Sequence, residues 1–287
     1  MLKSLLAEDR LLIAPGVFDG LSARLGARAG FDLLYMSGFS VAGATWGKPD
    51  IGLLTAGEMT DAAARVVDAA SGLPVIADGD NGYGGPLNVA RTVEAYEKAG
   101  VACIQLEDQV HPKRCGHMEN KQVVSRDEAV EKIRAAVSAR SDPAFLVMAR
   151  TDSRATDSLK EALVRAELFL QAGADILFVE APRSEAEMAT VAATFRGTPL
   201  VINLVEDGKT PWPTREVLRQ MGYSIALYPV TALLHLAQNL AETYAAIAAG
   251  STPTATRKTF GAFNELVGLN EANAQIDYIR GNRPNRE

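Results

Sequence analysis

Eight short apolar runs recur along the chain: 11–19 (LLIAPGVFD), 31–38 (FDLLYMSG), 73–80 (LPVIADGD), 101–108 (VACIQLED), 145–152 (FLVMARTD), 175–181 (DILFVEA), 199–205 (PLVINLV) and 223–230 (YSIALYPV). They are apolar throughout rather than alternating, which marks strands buried on both faces, as in a parallel sheet. Helix-start signals lie between them. Thr55 with Glu58, Ser125 with Glu128, Ser158 with Glu161 and Ser184 with Glu187 each read as a capping box. The helix-to-strand joints alternate in type. Gly30, Gly100, Gly173 and Gly222 suit the left-handed position just past a helix end. Pro74, Pro143 and Pro199 instead open strands, where a missing ladder donor is harmless.

Eight strand–helix units in about 250 residues predict an α/β fold, a TIM-type (β/α)8 barrel. A doubly wound open sheet would more often carry G-x-G-x-x-G after its first strand, and APGVFDG does not supply it. The expected organisation is one domain, 1–287, with the barrel over 1–250. A C-terminal helical extension over 251–287 would hold one or two helices and end in the polar IRGNRPNRE.

Composition narrows the function. The chain is 47% hydrophobic and 22% charged, with a net charge of −6 and no lysine- or arginine-rich block, which argues against nucleic acid or an acidic membrane as partner. Two cysteines, Cys103 and Cys115, make a disulfide framework improbable and suit a reducing compartment. The apolar start is broken by Glu8, Asp9 and Arg10, so no signal-peptide pattern is expected. No apolar stretch reaches the ~20 residues of a membrane helix. The expected location is the cytoplasm.

In such a barrel the reaction belongs at the C-terminal strand ends. Polarity gathers there: Ser37 and Gly38 after the second run, Asp78 and Asp80 in the third, Glu107 and Asp108 in the fourth, Arg150 and Asp152 in the fifth, Glu180 in the sixth, Asn203 in the seventh. Asp78 and Asp80 share a face by the period of two. Carboxylates with no His or Cys beside them suit a hard cation such as magnesium, or manganese. Alternatively, these acids cap helices or pair with Arg150. Arg150 suits bidentate binding of a carboxylate, unless it forms a structural pair with Asp152 or Glu180. Residues 109–124, after the fourth run, form a loop long enough to be a lid and carry His111, Cys115 and His117. Cys103 lies mid-strand and reads as core. His235 sits just inside the eighth helix, near enough to the mouth to reach a ligand.

The ordered motifs DGDNGYG, QLEDQ, PKRCGH, ARTD, VEAP and LYPVTA resemble the isocitrate lyase/phosphoenolpyruvate mutase superfamily, over nearly the whole chain. The resemblance implies a barrel with a magnesium site, an enolate intermediate, an eighth helix exchanged between subunits and a homotetramer built as a dimer of dimers. By motif, Asp78 resembles the direct metal ligand, with Asp50, Asp80 and Glu107 holding its waters. Ser37 and Gly38 resemble the residues that hold a keto-acid carboxylate, Asn203 and Glu180 also fit the pattern, and Arg150 resembles the arginine on the substrate oxygens. Cys115 in Lys113-Arg114-Cys115-Gly116-His117 matches the general acid of carbon–carbon lyases. Those lyases anchor a third carboxylate with an arginine after LYP, and here Leu234 lies near its place with His235 beside it. That departure points to a small dicarboxylic keto acid. The resulting expectation is magnesium-dependent decarboxylation of oxaloacetate to pyruvate and CO2 through an enolate, with Arg150, His235 and Cys115 as candidate catalytic groups. The alternative is a carbon–carbon lyase on a 2-methylisocitrate- or dimethylmalate-like acid. A barrel that binds a dicarboxylate without turnover is the third reading.

Overall fold

The computed structural model describes residues 1–281 apart from 117, 119 and 254–256. His117 and most of the polar end therefore lie outside the described residues. Each of the eight apolar runs holds one strand: β1 Leu12–Val17, β2 Leu34–Met36, β3 Val75–Asp78, β4 Cys103–Glu107, β5 Leu146–Thr151, β6 Ile176–Val179, β7 Leu200–Asn203 and β8 Ile225–Tyr228. All pair in parallel with their sequence neighbours, and β8 pairs with β1 to close the barrel. The expected TIM-type (β/α)8 fold is the observed one.

The helices are α1 Leu2–Leu6, α2 Gly20–Arg28, α3 Gly38–Val41, α4 Ala56–Ala69, α5 Pro86–Lys98, α6 Arg126–Ala139, α7 Ser153–Thr156, α8 Leu159–Gln171, α9 Glu185–Thr194, α10 Arg215–Met221, α11 Thr231–Ala248, α12 Phe260–Leu266 and α13 Leu269–Ile279. Contacts divide the chain into a compact unit over Met1–His235 and a second over Leu236–Glu287. The second unit holds most of α11 with α12 and α13, and it exposes Leu240, Tyr244, Phe260 and Tyr278.

Start signals held with one refinement. Thr55 and Glu58 form a reciprocal capping box. Ser125, Ser158 and Ser184 accept the N–H of Glu128, Glu161 and Glu187, but those glutamates do not reach back. Arginines hold two of them: Arg126 and Arg165 bind Glu161, and Arg154 binds Glu187. A charge-assisted bond to a guanidinium outcompetes a neutral backbone N–H. A further capping box, Asp19 with Ser22, escaped the sequence reading because serine replaces the usual Glu or Gln.

Two apolar clusters make the core of the first unit. One lies between strands and helices and includes Met59, Tyr96, Phe169 and Leu218. The other fills the barrel with the alternate residues Leu12, Tyr35, Ile76, Cys103, Met148, Phe178, Val201 and Leu227, and Leu2 of α1 packs against it. Cys103 is core, as its mid-strand place implied.

A buried network joins the tops of β4 and β5. Asp108 accepts from the Thr151 hydroxyl (2.7 Å), the Asp152 N–H (2.9 Å) and Arg165 Nη1 (3.1 Å). Burial, with Asp152 nearby, still pushes its carboxyl up to about 6. The folded state thus holds this proton more tightly than the unfolded chain, so stability falls as pH rises from about 4 to about 6. Asp108→Asn removes that titration. Unfolding midpoints measured from pH 4 to 7 should fall less steeply across this window in the variant, and parallel profiles would refute the assignment.

Candidate active site

On five of the strands, β3 to β7, inward positions change from apolar to polar toward the C-terminal end. Ile76 is followed by Asp78, Cys103 by Gln105 and Glu107, Met148 by Arg150, Phe178 by Glu180, and Val201 by Asn203. Register sets Asp78 beside Gln105 and Glu107 beside Arg150. Every one of these polar side chains is buried.

Three N–H groups hold Asp78. Its Oδ2 accepts from Gly38 N (3.2 Å), and its Oδ1 accepts from Asp80 N and Gln105 Nε2 (both 3.1 Å). The close approach needs glycine, because a Cβ on Gly38 would lie 2.8 Å from Asp78 Oδ2. Asp80 turns the chain in the left-handed region (φ 47°), which aspartate tolerates better than most residues.

The loop supplies positive charge to these acids. Lys113 Nζ lies 2.5 Å from Asp50 Oδ1 and 2.6 Å from Asp80 Oδ1. Lys121 Nζ lies 2.6 Å from Asp152 Oδ1 and also bonds the Gly116 carbonyl. Arg150 binds both oxygens of Asp152 (2.9 and 3.0 Å), and reaches Glu107 at 3.2 Å and Glu180 at 3.3 Å. Its guanidinium lies 5.3 Å from the Phe178 ring centre. Asn203 Nδ2 contacts Glu180 at 3.3 Å. Arg150 thus makes the structural pairing with Asp152 and Glu180, and it also lines the mouth.

Burial and countercharge compete at several of these groups. Burial pushes the Asp80 carboxyl up to about 7 although Lys113 opposes it. It drives Glu107 well up against the pull of Arg150. Burial disfavours charge on Lys113 too, but Asp80 and Asp50 outweigh it and hold the ammonium well above its usual range. The same contest leaves Asp152 below its usual range, through Arg150 and Lys121.

Six buried carboxylates (Asp50, Asp78, Asp80, Glu107, Asp152 and Glu180) meet three buried cations (Lys113, Lys121 and Arg150). A buried negative surplus is costly, and a divalent cation would offset it. Glu107 Oε1 and Asn203 Oδ1 are buried without a hydrogen-bond partner, so acceptors stand ready for water or a ligand. Among the described residues, no three His, Cys, Asp or Glu side chains form a ready cage for a metal. The set therefore fits an ion touched by one carboxylate and otherwise hydrated, as magnesium prefers. Asp78 would touch it, with Asp50, Asp80 and Glu107 around its waters.

A cavity of about 30 Å³ remains at the mouth. Tyr35, Ser37, Asp50, Asp78, Glu107, Arg150 and Asn203 line it from the barrel, Lys113, Arg114, Cys115 and Gly116 from the loop, and Phe39, Val205, Pro229 and Val230 on an apolar side. Such a volume holds a water or two. A dicarboxylate enters only if the loop lifts.

Sequence reasoning thus brought together Ser37, Gly38, Asp50, Asp78, Asp80, Glu107, Cys115, Arg150 and Asn203. His235 is not among them in this chain. It is exposed, lines a separate cavity of about 400 Å³ with Ile13, Pro15, Phe31 and Tyr228, and its Nδ1 lies 2.8 Å from the Thr231 carbonyl of its own helix. His111 is exposed as well. The residues missed were Tyr35, Gln105 and the pairing of Lys113 and Lys121. Unpaired buried acids were the available signal for the lysines.

Loop closure depends on Gly116, where a Cβ would sit 2.5 Å from Arg150 Nη2 and 2.6 Å from Glu180 Cδ. Overpacking costs about 1–3 kcal/mol. Gly116→Ala should therefore raise the open population, and tryptic cleavage at Lys113, Arg114 and Lys121, roughly 5- to 150-fold. Unchanged cleavage would mean that the loop is not held by this contact.

The phosphoenolpyruvate phosphomutase family model matches residues 2–248. The 2,3-dimethylmalate lyase of Eubacterium barkeri is 44% identical over 271 residues, covering 93% of each chain. A solved structure of oxaloacetate acetylhydrolase with the inhibitor 3,3-difluorooxalacetate superposes with a TM-score of 0.93 at 37% identity, covering 98% of this chain and 96% of that one. A phosphonopyruvate hydrolase solved with oxalate and Mg++ gives a TM-score of 0.84 at 28% identity, covering 95% of each chain.

Proposed function

Because this chain belongs to the phosphoenolpyruvate mutase/isocitrate lyase superfamily, we propose that it is a magnesium-dependent carbon–carbon lyase acting on a small branched 2-hydroxy dicarboxylate of the 2,3-dimethylmalate type. One observation carries this reading: the Cys115 thiol lines the same cavity as Asp78, Glu107 and Arg150. Both reactions leave a carbanion equivalent that takes up a proton; a pyruvate enolate can take it from water, whereas the less stable carbanion released by a lyase favours an acid positioned at the cavity wall. The apolar side formed by Phe39, Val205, Pro229 and Val230 suits a methyl branch rather than a third carboxylate. The 44% identity to a dimethylmalate lyase agrees.

In this mechanism the Ser37 hydroxyl and Arg150 orient the carboxylate next to the hydroxyl-bearing carbon. Glu107 Oε1, a buried acceptor without a donor of its own, takes the hydroxyl proton. The C2–C3 bond breaks as the C2 carbonyl forms, and its electron pair moves to C3 and the attached carboxylate. Cys115 delivers its proton to C3. The products are a 2-keto acid and a saturated monocarboxylate, and solvent returns the proton from Glu107 to the thiolate once the loop opens. A magnesium or manganese ion held at Asp78 would supply Lewis-acid charge for the oxygen on C2.

The decarboxylase expectation rested on the missing arginine after LYP, and a dicarboxylate of the dimethylmalate type, which has no third carboxylate, meets that departure equally well; His235 of the same chain lines a different cavity. Helix exchange in a homotetramer has support of its own. No residue of α11 is buried, and the 400 Å³ cavity beside its first turn is lined by Ile13 and Pro15 of β1 and Tyr228 of β8. Among the described residues, no helix is long and apolar enough to cross a membrane. The cytoplasm remains the proposed location.

The purified protein with magnesium should convert 2,3-dimethylmalate to pyruvate and propionate faster than it consumes methylisocitrate or oxaloacetate. Cys115→Ser should lower kcat by about 10²–10⁴-fold, the usual worth of a positioned acid. Pyruvate and CO2 from oxaloacetate, no turnover of dimethylmalate and a fully active Cys115→Ser variant would replace this reading with the decarboxylase. Stabilisation by oxalate and magnesium without turnover of any acid would leave a binding protein.

A further inference from the structure

Gln105 is fully buried on the inward face of β4, one step below Glu107, and Tyr35 of β2 is buried beside it. Nothing in packing asks for an amide here. The inward position below it on β4 is Cys103, and a leucine or methionine would fill the volume without the cost of desolvating a polar group. Both ends of the amide are instead committed. The Tyr35 hydroxyl donates to Gln105 Oε1 at 3.0 Å, and Gln105 Nε2 donates to Asp78 Oδ1 at 3.1 Å.

The chain of bonds has a forced direction. Asp78 Oδ1 can only accept, so it takes the NH2 end of the amide and leaves the carbonyl end for Tyr35. Reversing the amide would set its oxygen against a carboxylate oxygen. Register fixes the same pairing, because Asp78 and Gln105 are direct neighbours across β3 and β4. The other two donors to Asp78, Gly38 N and Asp80 N, belong to the backbone. Among the described residues, Gln105 is therefore the side chain that sets the rotation of this carboxylate.

We propose that Gln105 is a positioning residue that locks Asp78 in its metal-binding orientation, and that the Tyr35 hydroxyl locks Gln105. This rests on Asp78 as the direct ligand in the reading above. Partners that orient metal ligands are worth about 10- to 100-fold in metal affinity. Tyr35 lines the mouth cavity, so the lock runs from the cavity wall through the barrel interior to the metal-binding carboxylate.

Manganese binding to the metal-stripped full-length protein, read by electron paramagnetic resonance, tests this without turnover. Gln105→Leu should weaken Mn2+ by about 10- to 100-fold, and Tyr35→Phe by a smaller factor. The double variant should bind no more weakly than Gln105→Leu alone, because the hydroxyl acts only through the amide. Gln105→His should recover most of the loss, since an imidazole donates at one nitrogen and accepts at the other. Equal affinity in wild type and Gln105→Leu, or strictly additive losses in the double variant, would overturn the proposal. If Gln105→Leu does not fold, Tyr35→Phe carries the test, and wild-type affinity there overturns it. No Mn2+ binding by the wild type would instead overturn the assignment of Asp78.

Discussion

The ammonium of Lys113 wedged between Asp50 and Asp80 is the interaction on which the rest of the mouth depends. Two carboxylates converging at a buried strand end repel each other and lose their water. Neither cost is offset by anything on the strands themselves, because the strand cation, Arg150, is already shared among Asp152, Glu107 and Glu180. The charge that makes the site tolerable comes from a loop. Loop position and the electrostatics of the acids are therefore one variable. If the loop lifts, Asp50 and Asp80 lose a cation and regain water together, so hydration offsets part of the lost pairing. Such a loop can open and close at modest cost, which suits a lid.

Lys121 and Gly116 make the same point at the other side of the mouth. Lys121 bonds both Asp152 and the Gly116 carbonyl, and Gly116 packs against Arg150 and Glu180 without room for a methyl group. These contacts bring Cys115 to the cavity wall. Cys115 and Lys113 therefore reach the cavity on one loop, and the position of the thiol is tied to the charges that steady the acids.

The barrel was legible because strands buried on both faces leave unbroken apolar runs, and because Gly30, Gly100, Gly173 and Gly222 mark the helix ends that feed them. The polar ends of those runs gave the barrel's share of the site by the same period-two rule. Contacts that cross between elements were not legible. Nothing local to Lys113 says which of the acids it will meet. His235 shows the reverse error. It follows a motif at the mouth, but a helix turns about 100° per residue. Val230 lines the cavity, and five residues later the side chain points about 140° away. Nearness in sequence fixed the end of the element, not its face. Gln105 was passed over for a different reason: one amide among apolar residues in CIQLE reads as an exception to a strand, and only its two partners give it meaning.

The charge balance also constrains the order of events. On the proposed reading a dicarboxylate brings two more negative charges to a mouth where acids already outnumber cations, and at the low effective dielectric of a buried site that repulsion amounts to several kcal/mol. Opening the loop makes matters worse, because it withdraws Lys113 from the very acids that the substrate must approach. An organic acid can settle there only after an opposite charge of comparable size has done so. Asp78, held rigid by three N–H donors and exposed to the cavity, is where such a charge gains most and costs least in reorganisation. On the proposed reading the cation binds before the acid and the loop closes last, since the 30 Å³ it leaves is too small for a dicarboxylate.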